Sequence, residues 1–225
     1  MRRIFGRLTA AATLTLGVTG CGLVNPPDAL EITSAPPPAA TSRPIGLGPA
    51  LLLTPADLPP GYEPVPDGSA GPASLTQLGT GVQQCGEEAA VRGKTAQALF
   101  TRGPTGPFVA ESIVAPEDGN APAVIEAMAA APARCPNITG QAPGMAAEVT
   151  VSLSQMTVPP LGDRSTGTQV VASVQGMPLT IRGTVIGFAS RGLAVVVVVM
   201  GLGEVSKEEA VTVARAALAR IAAVK

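Results

Sequence analysis

The clearest periodic pattern of apolar residues lies near the end of the chain. Four of them follow one another at helical spacing and so share one helix face: Val211, Ala214, Leu218 and Ile221. Ser206 and Glu209 precede them with the S-x-x-E spacing of a capping box, in which the serine hydroxyl accepts a hydrogen bond from the glutamate backbone. The pattern therefore predicts a terminal helix that begins after Ser206 and packs one face on the domain.

A second helix is predicted in the middle of the chain. Asn120 is a favourable N-cap, and Pro122 is well tolerated near the first helical position because its missing N–H is not needed there. An apolar stripe follows at helical spacing: Val124, Ile125, Met128 and Ala129. The helix should end near Cys135, which a proline follows directly.

Six runs with strand character surround the predicted helices: residues 95–102, 108–115, 148–157, 168–175, 180–189 and 193–202. Turn-forming residues separate successive runs, which favours antiparallel neighbours. Residues 193–200 are apolar at every position and mostly β-branched. Because this run is too short to cross a bilayer, it is interpreted as a buried strand.

A short proline-rich segment opens the region that carries these elements. Thr54 is placed as an N-cap and Pro55 as the first helical residue, and Pro59-Pro60-Gly61 stops the helix after about one turn. We expect residues 49–225 to form a single globular domain of the α+β class. Its two layers would be an antiparallel sheet of about six strands and two main helices packed on it.

The N-terminal residues have the pattern of an export signal. Arg2, Arg3 and Arg7 precede an apolar stretch over residues 8–18 that is too short for a spanning helix. The next residues complete the sequence Val-Thr-Gly-Cys, which resembles the lipobox of bacterial lipoproteins. The resemblance implies a signal peptide over residues 1–20 and a diacylglycerol on Cys21. An ordinary secretory signal cut elsewhere and an uncleaved N-terminal anchor are the alternatives.

The predicted tether covers residues 21–48 and is rich in Pro, Ala, Ser and Thr. This composition cannot bury enough apolar surface to offset the entropy lost on ordering, so we expect an extended, mobile linker. Acyl chains on Cys21 suffice for stable anchoring because each buried methylene contributes about 0.8 kcal/mol. The sequence thus predicts a lipoprotein held at the cell membrane, on its extracytoplasmic side, through the lipid on Cys21.

Two further cysteines, Cys85 and Cys135, remain once Cys21 is assigned to the lipid. In an oxidising exterior an even pair of cysteines is typical of a disulfide. On the chain-entropy estimate, closing a loop of about fifty residues stabilises the fold by about 4 kcal/mol. The alternative is a pair of free thiols.

Composition argues against several classes of function. The chain has 15 basic and 16 acidic residues, and loss of three arginines with the signal peptide leaves 12 basic against 16 acidic. A mildly negative domain has no attraction for nucleic acid. With no tryptophan and one tyrosine, it has few rings on which a sugar or base could stack. The lack of histidine removes Ser-His-Asp catalysis and the commonest zinc sites, so we predict neither metal nor cofactor.

Few residues remain as candidates for chemistry. A Ser-Lys dyad could use only Lys94, and a glycosidase-type carboxylate pair could be assembled in space from Glu111, Glu148 or Asp163, although their spacing favours solvated surface charge. Asp163 and Arg164, in a loop between predicted strands, are the binding-site candidates. A plain hairpin turn with Asp at a favoured position is the alternative for this pair. We therefore predict that the domain is not an enzyme.

Several short motifs together resemble a known group of proteins. They are the opening residues 52–62, Cys85 and Cys135 around two strands and an alanine-rich helix, Leu-Gly-Asp at 161–163, and Arg-Gly at 191–192. Over roughly residues 50–224 the chain resembles actinobacterial sensor-domain lipoproteins and is similar to the extracellular sensor domain of the mycobacterial serine/threonine kinase PknH. The resemblance implies a sheet-and-helix domain with a cleft that binds a ligand outside the membrane. This sequence differs in showing one candidate disulfide where such kinase sensor domains carry two, and neither a kinase domain nor a transmembrane helix.

The leading hypothesis from the sequence is a membrane-anchored lipoprotein with a non-catalytic, sensor-like binding domain. Its ligand would be an unknown small molecule, lipid or protein partner held in a cleft between sheet and helices. The alternative is a structural or assembly factor of the cell envelope, which would present a flat apolar face or an edge strand. An envelope hydrolase is the third hypothesis.

Overall fold

The computed structural model describes residues 47–65, 92–141 and 148–224. These ranges contain eight strands: β1 Glu63–Pro64, β2 Gly93–Thr101, β3 Phe108–Pro116, β4 Asn137–Gln141, β5 Glu148–Met156, β6 Arg164–Val174, β7 Thr180–Ser190 and β8 Leu193–Leu202. They also contain two α-helices, α1 Ala121–Arg134 and α2 Lys207–Ala223, and two 3₁₀ turns, Pro49–Leu51 and Pro55–Asp57. Neither α-helix in these ranges is long and apolar enough to cross a membrane.

The predicted α+β class is confirmed, but the sheet is larger than the sequence suggested. All eight strands form one antiparallel sheet in the order β1-β2-β3-β8-β7-β6-β5-β4. The unpredicted strands are the two at the edges, β1 and β4, which have two and five residues. Runs this short carry no recognisable alternation of apolar and polar residues.

The apolar run of β8 lies in the centre of the sheet. It pairs with β3 on one side and β7 on the other, so that Val197 stands between Glu111 and Ile186. Residues 193–200 are buried or half-buried at every position. A strand covered on both faces needs apolar residues throughout, which explains why this segment lacks alternation.

The two helices pack on opposite faces of the sheet, and the predicted two-layer arrangement is wrong in this respect. A Cβ placed on Gly187 of β7 would lie 3.0 Å from the terminal methyl of Met128 in α1. The adjacent Phe188 instead belongs to the main core, together with Val213 of α2. Because successive strand residues point to opposite faces, α1, the sheet and α2 form three layers. The double-sided burial of β8 was the sequence signal for this arrangement.

The main core lies between the sheet and α2. Residues of α2 that are fully buried here follow one another at helical spacing: Ala210, Val213, Ala214, Ala217 and Ile221. Of the predicted stripe, Val211 and Leu218 are only partly buried. The helix is thus rotated from its expected orientation, and small alanines face the sheet.

Residues 47–58 pack beside α2 on the same face of the sheet. Leu51, Leu53 and Leu58 are buried in the main core, in the same cluster as the buried residues of β3 and β8. The predicted helical turn at Thr54 is present as the 3₁₀ turn Pro55–Asp57. This segment includes the last two residues of the predicted tether, residues 47 and 48, of which Leu47 packs against the main core. The rest of the tether, up to residue 46, lies outside the described part of the chain along with the signal peptide.

Both predicted helix caps are present. The Asn120 Oδ1 accepts a hydrogen bond from the Ala123 N–H at 3.2 Å, and the Ser206 Oγ accepts one from the Glu209 N–H at 3.2 Å. At the other end of α2, the Arg191 guanidinium donates to the backbone carbonyls of residues 221, 222 and 224. Arg191 sits in the β7–β8 turn with a φ of 53°, and this strained position aims its side chain at the helix end.

Candidate functional site

The predicted cysteine sites lie mostly outside the described residues. Cys21 and Cys85 both fall there, so the lipid site and the partner chosen for Cys135 stay predictions. Cys135 itself is disulfide-bonded and directly follows α1. The disulfide is therefore attached to the short connection between α1 and β4.

Arg164 is the first residue of β6, and Asp163 directly precedes it. The Asp163 N–H donates to the carbonyl oxygen of Ala189 at 2.7 Å, and Gly162 before it has a φ of +57°. The Arg164 guanidinium lies 3.4 Å from the Glu126 carboxylate of α1, with 55% and 57% of the two side chains exposed. An ion pair this exposed contributes under about 1 kcal/mol. The contact of Arg164 joins β6 to α1, and the contact of Asp163 joins the chain before β6 to β7. The binding role of both residues stays a prediction.

The three candidate carboxylates are not brought together. Glu111 lies inside β3, whereas Glu148 opens β5, four positions away in the strand order. At about 4.8 Å per strand this separates them by roughly 19 Å, well beyond the separation of about 10 Å or less that glycosidases use. Asp163 precedes β6, three strands from β3. Lys94 is exposed on β2 opposite Ala115, so it faces no serine across β3.

Metal binding has no support in the ranges that the structure describes. No group of three or more His, Cys, Asp or Glu residues there could hold an ion.

An aliphatic strip lies on the α1 side of the sheet. It comprises the buried Val151, Val170 and Ala172 and the partly buried Ile138, Val149, Leu153, Ile181 and Val185. Its members come from β4, β5, β6 and β7, and α1 packs on three of these strands, β5, β6 and β7. Residues of β7 at positions 181, 183, 185 and 187 point the same way, which places the strip on the face that Gly187 turns toward α1.

Register aligns the aliphatic strip into a straight row across the sheet. Ile138 stands opposite Val151, Val151 opposite Ala172, and Ala172 opposite Ile181. Ile181 in turn faces Leu202 of β8, a large apolar residue that is 49% exposed. Five strands thus place one aliphatic side chain each in line, over roughly 19 Å at the usual strand spacing.

The reverse face of β5 is polar. In β5 the strip residues alternate with Thr150, Ser152 and Ser154, and the Ser152 hydroxyl donates to the Asn137 amide oxygen at 2.8 Å. Such alternation is typical of an antiparallel strand with one apolar and one wetted face. The strip is therefore a one-sided surface that carries neither charge nor hydrogen-bonding side chains.

A buried carboxyl group forms a second unusual feature. Glu111 is 1% exposed, and its Oε2 accepts a hydrogen bond from the Leu53 N–H at 2.7 Å. The other oxygen, Oε1, has no hydrogen-bond partner in the described part of the chain. Burial raises the pKa of Glu111 to about 7, although the bond from Leu53 and the charge of Arg220 act in the opposite direction. The negative charge of ionised Glu111 is thus poorly stabilised by its surroundings.

Arg220 of α2 completes this group of contacts, which we call the Glu111 clamp: Glu111, Arg220, Asp57 and the backbone of residues 52–54. The Arg220 Nε donates to the Leu52 carbonyl oxygen at 3.0 Å, and the Arg220 Nη1 lies 3.6 Å from Asp57 Oδ2. The same Oδ2 accepts hydrogen bonds from the N–H and hydroxyl of Thr54 at 2.7 and 2.6 Å. Burial acts to raise the pKa of Asp57, but these bonds and the charge of Arg220 outweigh it and hold the pKa below its ordinary value.

A second polar group fastens the chain just beyond the clamp. The guanidinium carbon of Arg102 lies 4.4 Å from the centre of the Tyr62 ring. Both side chains donate to Glu209 Oε1, the Tyr62 hydroxyl at 3.0 Å and Arg102 at 2.7 Å. Sequence reasoning missed both polar groups because their members come from distant segments. The one available signal was Glu111, a single acid within a predicted strand of otherwise small or apolar residues.

Comparison with known proteins adds no assignment. No protein-family model, curated protein or solved structure matches this chain. The likeness to sensor-domain lipoproteins therefore stays a prediction from the sequence motifs. Any account of function has to be built on the geometry of the aliphatic strip and the two polar groups.

Proposed function

We propose that the chain is an extracytoplasmic lipoprotein whose domain binds an aliphatic ligand without catalysis. The lipid anchor is the one expected on Cys21, and the binding surface is the aliphatic strip. The observation that carries the proposal is the row of aliphatic side chains across five strands, beside the helix α1 that packs on the same strands. This arrangement fits the predicted binding domain better than the predicted hydrolase.

The chemistry of the strip favours one class of ligand. Its members are valine, leucine, isoleucine and alanine, so it offers dispersion and release of water but no directional contacts. A sugar or a charged metabolite would lose hydrogen bonds to water on such a surface and regain none. An acyl or isoprenoid chain loses nothing comparable, and membranes supply both.

The expected tether supports the same ligand class. Fully extended, the 25 residues from 22 to 46 would reach at most about 90 Å. A domain on such a tether stays within reach of the membrane from which Cys21 is anchored. Aliphatic molecules at the membrane surface would therefore be at high local concentration around the strip.

The test begins with a native mass spectrum of the lipoprotein gently extracted from its own host membrane. We expect a bound aliphatic molecule of defined mass in addition to the covalent lipid. A spectrum without bound ligand, accompanied by a co-purifying protein, would contradict the proposal and favour the envelope assembly role.

A matched pair of variants locates the binding surface. Val170 and Val171 are adjacent in β6 but point to opposite faces, since Val170 pairs with Leu153 of the strip and Val171 with Ser152. Valine to threonine keeps the shape and adds a hydroxyl in both cases. Val170→Thr should weaken binding of the fluorescent fatty acid parinaric acid several-fold, while Val171→Thr should not. Equal binding by both variants, with unchanged circular dichroism, would exclude the strip as the site.

A further inference from the structure

In the Glu111 clamp, two side chains, Glu111 and Arg220, make the polar contacts that join residues 52–57 to the sheet and to α2. Glu111 holds the Leu53 N–H, and Arg220 holds the Leu52 carbonyl and the Asp57 carboxylate. The partners sit on β3 and α2, two elements that are fixed in the main core. Residues 47–58 are therefore held by contacts whose strength depends on charge.

We propose that Glu111 is a proton-binding site that controls how firmly residues 47–58 are held on the sheet, and that protonation strengthens the hold. An ionised carboxylate needs hydrogen bonds to both oxygens, yet only Oε2 has a donor in the described ranges. A buried carboxylic acid with one unsatisfied atom costs far less than a buried charge with one unsatisfied oxygen. Release of the segment would expose the carboxylate to water and remove that cost.

Few charged groups lie close enough to Glu111 to affect its titration. Its cross-strand neighbours, Ala98 on β2 and Val197 on β8, are apolar. The facing 3₁₀ segment contributes one charged group, Asp57, and α2 contributes Arg220. Asp57 favours the proton on Glu111 and Arg220 opposes it. Because Arg220 is already engaged with Leu52 and Asp57, its compensation of Glu111 is incomplete, in agreement with a pKa of about 7.

The expected size of the effect follows from the two protonation equilibria. A rise from 4.5 to about 7 for the held segment means that ionisation favours release by roughly 300-fold. Leu51, Leu53 and Leu58 oppose release because each is buried in the core. The proton therefore shifts the frequency of release and does not by itself detach the segment.

Release would change the connection between domain and membrane. Residues 47–58 continue the chain from residue 46 of the predicted tether, so a released segment lengthens the mobile connection by about 12 residues, or up to about 40 Å. Acidification would shorten the connection and alkaline conditions would lengthen it. The inference does not depend on the proposed ligand, because the clamp lies on the face of the sheet opposite the aliphatic strip.

The test is hydrogen exchange by mass spectrometry on the full-length lipoprotein in detergent, between pH 5 and pH 8, with rates corrected for intrinsic exchange. We expect protection of peptides within residues 47–58 to fall by up to about 70-fold between pH 5 and pH 8, because a small part of the total of about 300-fold is already lost at pH 5. Peptides from β6 and β7 should change much less. No pH dependence in residues 47–58, or an equal loss in β6 and β7, would overturn the proposal without any variant.

Variants then assign the effect to Glu111. Glu111→Gln keeps an acceptor for the Leu53 N–H but cannot ionise, so its protection should be independent of pH in this range. The matched control is Glu117→Gln, an exposed residue in the loop after β3, which should keep the wild-type profile. A Glu111→Gln profile that matches wild type would exclude Glu111 as the proton-binding site.

Discussion

The Tyr62 hydroxyl donates a hydrogen bond to the Glu209 carboxylate at 3.0 Å, across 147 positions of sequence. Glu209 lies in the first turn of α2, where the sequence assigned it to a capping box. Its backbone N–H does serve the cap, but its side chain reaches Tyr62 and Arg102 instead. One residue thus helps to start the helix and fastens the N-terminal part of the domain to it.

This contact makes a prediction for the only tyrosine of the chain. Burial, followed by the hydrogen bond and the charge of Glu209, raises the pKa of Tyr62 above its ordinary value of 10.0, against the opposing charge of Arg102. At about pH 10.5, where about three quarters of free tyrosine is ionised, we expect almost no phenolate absorbance from the folded protein.

The controls are two neighbouring glutamates. Glu209→Gln removes the charge beside Tyr62 and should move its titration toward lower pH. Glu208→Gln changes an exposed neighbour and should leave the titration where it is. A folded wild type that titrates like free tyrosine would contradict the structure of this contact.

Glu111 should also make global stability depend on pH. Because its pKa is raised from 4.5 to about 7 on folding, its contribution is fully present below about pH 4.5 and is lost as pH rises through 7. The total corresponds to about 3 kcal/mol. Asp57, with a lowered pKa, loses its contribution only in acid, below this window. Urea unfolding of wild type should therefore give a lower free energy at pH 8 than at pH 5.

The same measurement on variants isolates the buried group. Glu111→Gln should reduce the difference between pH 5 and pH 8, and Glu117→Gln should preserve it. If Glu111→Gln retained the full difference, other groups would be responsible for it.

The elements with strong local signals were predictable from sequence. The caps at Asn120 and Ser206 are present, and β5, β7 and β8 begin at the expected residues. β6 begins four residues earlier than expected, at Arg164, because the fixed period of a strand continues through residues that favour turns. The local pattern therefore predicted that these elements exist, but it predicted their first and last residues less well.

The candidate sites depend on sheet order, which local pattern does not encode. The row of five aliphatic residues along the strip requires that β4 to β8 pair in the right register, and β4 was not predicted. The Glu111 clamp requires that residues 52–57 return to β3 and meet α2. The contact of Glu111 with Leu53 joins residues 58 positions apart, and that of Arg220 with Leu52 joins residues 168 positions apart. Contacts over such separations leave no periodic pattern in a single sequence.

Two glycines with the same backbone conformation should differ sharply in tolerance. Gly162 and Gly119 have φ values of +57° and +70°. A Cβ at Gly162 would lie 2.1 Å from the carbonyl oxygen of Ala189, whereas one at Gly119 meets no atom within 4 Å. Gly119→Ala should cost about 1 kcal/mol for the left-handed conformation alone. Gly162→Ala should cost at least about 3 kcal/mol, since β7 must also move.

Urea unfolding of the two alanine variants gives the comparison directly. Equal costs would mean that the chain before Asp163 does not approach β7 as closely as its 2.7 Å hydrogen bond to Ala189 requires. The result bears on the Leu-Gly-Asp motif at 161–163, because a steric role for Gly162 would give that motif a purely structural cause.

The expected anchor gives the last prediction. If Cys21 carries the lipid, Cys21→Ala should release the domain from the membrane, since no helix in the described ranges can span it. The released protein should unfold in urea at the same midpoint as the lipoprotein in detergent, because the core that holds residues 47–58 begins more than 20 positions after Cys21. The measurement is fractionation of host cells followed by urea unfolding of the released domain. A variant that stayed with the membrane would indicate an uncleaved N-terminal anchor, and one that was released but unfolded would show that the domain depends on its tether.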